Sequence, residues 1–183
     1  MPFNADHIRP TTDRVKESLF NILGDAFDGA RVLDLFGGTG SLGFEALSRG
    51  ARELVFVEQN RKSIDIIRRN QEKLKIQEPV QIVPKDVLKF LHSYQGGPFD
   101  IIFIDPPFTE AMADEVMIAL SKQPRLILEH TVISIESGRR EKIQDDYSPL
   151  FRYDTREFGD KFLSFYQRKR EDGEGSGHEK SED

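Results

Sequence analysis

Apolar and polar positions change period in a regular way along the chain. Between Arg9 and Gly24, Val15, Leu19, Ile22 and Leu23 fall at i, i+4, i+7 and i+8. That spacing predicts a helix with one buried stripe. Thr12 is placed to cap its start, and Gly24 to take the left-handed position after its last turn. Short apolar runs then alternate with helical periods. Strands are predicted at 31–36, 53–58, 80–83, 100–104 and 131–136, with helices at 41–49, 61–75, 87–94 and 110–122. Near-continuous apolar runs such as DIIFI and VISI predict a parallel sheet covered on both faces. Two later runs, LFRYDTREF and KFLSFYQRK, are joined by Gly159-Asp160, a hairpin signal, so the last strand is expected to be antiparallel. Together these predict an α/β doubly wound fold of about seven mostly parallel strands with a C-terminal antiparallel hairpin. In such folds ligands sit outside the carboxyl ends of the strands. The loops after Phe36, Glu58, Val83 and Ile104 are therefore the candidate site.

Composition narrows the chemistry. A chain of 183 residues and 21.0 kDa suits one domain with a tail. Residues 171–183 have no apolar residue and carry six acids against Lys180, most of the net charge of −6. We expect a domain over 1–170, close to neutral, and a disordered acidic tail over 171–183. The lack of Cys excludes a disulfide framework, a Cys-based metal site and a Cys nucleophile. The four His show no metal-ligand spacing, so no metal is expected. No apolar run approaches a membrane span, and MPFNADHIRP lacks a signal peptide's basic and apolar regions. A cytoplasmic protein is expected.

The first strand ends in Asp34-Leu-Phe-Gly37-Gly38-Thr-Gly40-Ser-Leu-Gly43, and Gly38, Gly40 and Gly43 satisfy G-x-G-x-x-G ahead of a helix. Glu58 ends the second strand, where a carboxylate can accept from ribose hydroxyls. This pattern fits a dinucleotide, S-adenosylmethionine (AdoMet), or a strand-to-helix turn with no ligand. Two features tilt it toward AdoMet. Asp34 can pair with a ligand's ammonium group, whereas an acid there would repel a pyrophosphate. Asp86 follows the third strand, where it can accept from an adenine amine; it is also a good N-cap for the helix beginning at Val87.

The fourth strand ends in Asp105-Pro106-Pro107-Phe108. Two prolines stop the strand, remove two backbone donors and stiffen the loop. What remains suits a planar base bearing an amine. Asp105 and the Pro106 carbonyl can accept its hydrogens, and Phe108 can stack on the ring. The plainer alternative is a proline-terminated strand with a buried Phe.

The segments RPTTDRVKESLFNIL, DLFGGTGSLGFEALSRGA, FVEQN and FDIIFIDPPF together resemble the bacterial 16S ribosomal RNA guanine-N2 methyltransferases of the small-subunit methyltransferase D (RsmD) type. The resemblance runs from about Arg9 to Arg168. It implies a Rossmann-like class I AdoMet-dependent methyltransferase with strand order 3-2-1-4-5-7-6. It implies methyl transfer to one guanine N2 of 16S rRNA, within an assembling small subunit, by a monomer. By position, Asp34, Gly37, Gly38, Gly40, Glu58, Asp86 and Val87 would line the AdoMet site, and Asp105, Pro106, Pro107 and Phe108 the base site. Arg9, Thr11, Thr12 and Arg14 would lie near the cofactor and the entering RNA. Relatives of this type begin with a basic β-hairpin ahead of R-P-T-T, where eight residues precede Arg9 here. Docking is thus expected to depend on a shaped ribonucleoprotein surface more than on charge. Gly37-Gly38 stands where Ala is common at one position, an exchange expected to be harmless.

Arg61, Lys62, Arg68, Arg69, Lys73 and Lys75 read as the solvated face of an amphipathic helix. Arg139, Arg140 and Lys142 follow the fifth strand and are the better candidates for RNA. Three other readings remain: a DNA adenine-N6 methyltransferase, a nonenzymatic AdoMet-binding module, and a dehydrogenase. The first usually needs a target-recognition region, and no stretch here is long enough for one.

Overall fold

The central apolar runs pair into one sheet because each has an apolar layer to meet on both sides. The computed structural model describes residues 9–107 and 112–169, with the backbone alone for 9–12. Strands β1 (Arg31–Asp34), β2 (Glu53–Val57), β3 (Val80–Val83), β4 (Phe99–Ile104) and β5 (Ile127–Gly138) are parallel. Strands β6 (Asp146–Tyr147), β7 (Leu150–Phe158) and β8 (Lys161–Arg168) complete the order β3-β2-β1-β4-β5-β8-β7-β6. Strand β8 returns antiparallel against β5, from Ile133↔Tyr166 to Gly138↔Lys161, and β7 pairs antiparallel with β8. Gly159-Asp160 forms the hairpin turn, with Gly159 at φ 63°. The expected order 3-2-1-4-5-7-6 is therefore present, plus one edge strand. The described residues hold eight strands rather than about seven, since β6 is two residues long and too short to leave a period.

Helices α1 (Arg9–Leu23), α2 (Ser41–Ser48) and α3 (Arg61–Lys73) cover one face of the sheet. Helices α4 (Val87–Ser93) and α5 (Ala113–Ser121) cover the other. Each face has its own core. On the α1–α3 face the Phe20 ring lies 5.0 Å from Phe27 and 6.0 Å from Phe103, and Phe44 meets Phe56 edge-on at 5.3 Å.

Four local expectations need correction. The first helix starts at Arg9, so Thr12 lies within its first turn instead of capping it. Pro10 is tolerated there because first-turn N–H groups have no helical partner. The buried stripe of α1 is Val15, Leu19, Phe20 and Leu23, while Ile22 is 36% exposed. Contact of Phe20 with Phe27 and Phe103 rotates the stripe and leaves Ile22 at its rim. Strand β5 runs well beyond 131–136, because β4 pairs with its start and β8 with its end. Helix α5 begins at Ala113, and the tail expected over 171–183 lies outside the described residues.

Candidate active site

The carboxyl ends of β1 to β4 open into a cavity of about 700 Å³, in the range of small-molecule sites. Each strand contributes a loop. Leu35, Phe36 and Gly38 follow β1; Glu58, Gln59, Asn60 and Ser63 follow β2; Lys85, Asp86 and Val87 follow β3; Asp105, Pro106 and Pro107 follow β4.

The glycines of the first loop serve distinct needs. Gly38 and Gly40 are left-handed, at φ 54° and 82°. A Cβ on Gly43 would lie 2.6 Å from the Phe56 ring, so this glycine sets how closely α2 packs on β2. Gly37 likewise packs against Ile67 and Phe56, and neither it nor Gly40 reaches the cavity wall. Asn70 on α3 donates to the Thr39 carbonyl at 2.8 Å and ties the loop to the next unit.

Glu58 is held by the loop it faces. One carboxylate oxygen accepts from the Gly38 N–H and the other from the Asn60 N–H, both at 2.8 Å. Asn60 in turn caps α3, accepting from Lys62 N and Ser63 N. Asp86 caps α4, accepting from Lys89 N at 3.0 Å, and also lines the cavity, so both of its expected roles are geometrically open. Among the described residues the wall thus carries three carboxylates and one cation, Lys85, whose Nζ donates to Ser93 Oγ at 2.9 Å.

A row of charge crosses the sheet at this edge. Asp34 pairs in register with Phe103, Phe103 with Ser134, and Ile104 with Ile135. Strand alternation then puts Asp34, Asp105 and Glu136 on the α1–α3 face of three neighbouring strands. Lys161, at the start of β8, donates to Glu136 Oε1 at 2.6 Å, and this ion pair is largely buried. Asp34 is 1% exposed. Burial first, then repulsion from Asp105, holds its pKa well above the ordinary carboxylate range. Asp105 is pushed up to about 7, by burial and then by repulsion from Glu136, against the pull of Lys161.

The structure therefore brings Gly38, Glu58, Asp86, Val87, Asp105, Pro106 and Pro107 to one cavity, with Asp34 beneath it. Phe108 lies outside the described residues, and of Arg9, Thr11 and Thr12 only the α1 backbone is described. Arg14 is exposed on α1, at a shallow depression it shares with Phe158. Arg139 and Arg140 line a second cavity of about 550 Å³ with Gly138 and Lys161, and Arg139 is ion-paired with Glu157. Sequence reasoning missed Asn60, Ser63, Glu136 and Lys161. A lone acid closing the apolar run VISIES was the available signal for Glu136.

Residues 1–167 match the family described as conserved hypothetical protein 95. The chain belongs to this family, which is of the RsmD type. Within it the chain is similar to the Bacillus subtilis YlbH protein, 34% identical over 163 residues, 88% of each chain. It is 37% identical over 130 residues to the ribosomal RNA small subunit methyltransferase D of Escherichia coli, covering 71% of this chain and 64% of that relative. The solved structure of the Escherichia coli yhhF protein matches with a TM-score of 0.78 and 32% identity, over 90% of this chain and 89% of that one. The family match spans all the cavity loops and the charge row.

Proposed function

We propose that the chain transfers a methyl group from AdoMet to the exocyclic N2 amine of a guanine in 16S rRNA, within the assembling small subunit. The observation that carries this reading is the acidic cavity ending in Asp105-Pro106-Pro107, in a chain of the RsmD-type family. The cavity fits AdoMet better than a dinucleotide. Its wall offers carboxylate acceptors at Glu58 and Asp86, suited to hydroxyl and amine donors, above the buried Asp34. Among the described residues its one cation is Lys85, which donates to Ser93, so these residues favour a cationic ligand over a pyrophosphate.

When bound, AdoMet supplies a methyl group on positively charged sulfur, and the electrons of the broken S–C bond return to that sulfur. Glu58 would hold the ribose, Asp86 and Val87 the adenine, and Asp34 the ammonium end. Asp105 and the Pro106 carbonyl accept the two N2 hydrogens and so aim the amine's weakly available lone pair at the methyl carbon. Positioning of this kind is worth on the order of 7 kcal/mol or more. As the N–C bond forms, N2 loses a proton, and Asp105 is the acceptor within reach. A carboxylate with a pKa near 7 suits that role, which adds about 10²–10⁴-fold. By family resemblance the base is assigned to Phe108, the RNA to Arg9 and Arg14, and the cofactor's outer edge to Thr11 and Thr12; by position after β5, Arg139 and Arg140 are assigned to the RNA.

The test incubates the protein and labelled AdoMet with naked 16S rRNA, assembling subunits and DNA, then identifies the methylated nucleoside. N2-methylguanosine in RNA supports the reading. Label in N6-methyladenine, or in no nucleic acid, overturns it. Asp105→Ala should abolish turnover while the protein still binds AdoMet by calorimetry.

A further inference from the structure

The Glu136–Lys161 pair calls for a reason to exist. Its side chains are 11% and 19% exposed, and it sits where two apolar residues would stabilise the sheet edge at least as well. Glu136 also adds a like charge beside Asp105, which raises the cost further. A sheet edge selected for stability alone would not keep it.

Its position suggests what it meets. Glu136 is the cross-strand neighbour of Asp105, following Ile135 as Asp105 follows Ile104. Asp105 lines the first cavity and Lys161 the second, so the pair stands at the boundary between them. A base held by its amine at Asp105, with its N1 side toward Glu136, sets the next atoms of its ring over this boundary. In guanine those atoms are N1–H, a donor, and then O6, an acceptor. A carboxylate has two oxygens and about four lone-pair directions, and an ammonium has three donors. The pair therefore carries an acceptor and a donor in the order that guanine requires. Adenine reverses both groups, with an acceptor at N1 and an amine at C6, and would meet carboxylate with lone pair and ammonium with N–H.

The geometry points to Glu136 and Lys161 as the readers of the target guanine, Glu136 accepting from N1–H and Lys161 donating to O6. This assignment rests on the guanine-N2 reading above and deepens it. The residues touch the base beside the reacting amine and set specificity; they take no part in the proton transfer.

The test uses 16S rRNA in which the methylated guanine, once mapped, is replaced by 2-aminopurine through splinted ligation. That base keeps the N2 amine, presents an acceptor at N1 and has no O6. The wild-type protein should prefer guanine by about 5- to 150-fold in kcat/KM, the discrimination of one good bidentate contact. Glu136→Gln offers an N–H to N1, so the preference should fall toward one, with 2-aminopurine gaining as guanine loses. Glu136→Gln combined with Lys161→Met removes both charges of the pair, and should show the same loss in a protein whose circular dichroism matches wild type. Wild-type protein that uses both bases equally overturns the inference, and this arm needs no variant. An undiminished preference in the folded double variant overturns it too. Failure of the wild-type protein to methylate any guanine N2 overturns the parent reading and this one with it.

Discussion

Asp105 should make the protein less stable in the pH range where it works. Its carboxyl moves from 3.8 in the unfolded chain to about 7 in the fold. A group whose folded pKa is raised contributes stability below its unfolded pKa and loses it as pH rises through the folded value. The window here is about pH 4 to 7. Replacing the carboxylate by its neutral isostere in Asp105→Asn removes the ionisation cost, which reaches about 4 kcal/mol well above pH 7. Linkage gives about 2 kcal/mol of this already at pH 5, about 3 at pH 6 and the plateau near pH 8. The variant should therefore gain about 2–3 kcal/mol on wild type between pH 5 and pH 8. Asp34 is common to both proteins, and relief of its repulsion from Asp105 only enlarges the gain. The assay is urea unfolding at pH 5, 6, 7 and 8, extrapolated to water for both proteins. A stability difference that stays flat or shrinks over this range would show that Asp105 is not buried against charge as described, and the proton-acceptor role would lose its footing.

Methyl transfer requires ionised Asp105, so kcat/KM should fall about tenfold per pH unit below about 7; a flat profile from pH 5.5 to 8 contradicts this. Glu58→Ala leaves the Gly38 and Asn60 N–H groups without their carboxylate and removes the proposed ribose contact. AdoMet should bind about 10- to 150-fold more weakly by calorimetry, the worth of a hydrogen bond to a charged group, and unchanged affinity would remove Glu58 from the site. Gly43→Ala drives a methyl group into Phe56 and Leu54. It should cost about 1–3 kcal/mol and lower Tm by about 2–10 °C, whereas an unshifted Tm would mean that α2 can lift from β2 freely.

Local patterns were legible in the sequence wherever one element determined its own environment. Strands β1, β2 and β4 are buried on both faces, and nothing but a near-continuous apolar run can fill such a position. The Gly159-Asp160 turn was equally plain, because a two-residue hairpin leaves few residue choices. The loops of the cavity follow from strand ends, so Gly38, Glu58, Asp86 and Asp105 could be named in advance. Contacts made by distant segments were not visible. Glu136 and Lys161 are 25 residues apart and meet through β5–β8 pairing. The bond from Gly38 N–H to Glu58 spans 20 residues. Ile22 satisfied the helical period as well as Phe20 did, and the aromatic partners of Phe20 on other elements decided between them.

The charge row across β1, β4 and β5 bears on how the catalytic cycle turns over. Asp34, Asp105 and Glu136 oppose one another, and within the row Lys161 offsets only part of that. In the proposed reaction the row serves as counter-ion to a co-substrate that arrives with an extra positive charge on sulfur. Once the methyl group has left, that charge is gone, and when Asp105 gives up the proton it took from N2 the carboxylates regain their mutual repulsion. The spent co-substrate should therefore be held less firmly than the fresh one, so that the same acids that favour loading also favour release.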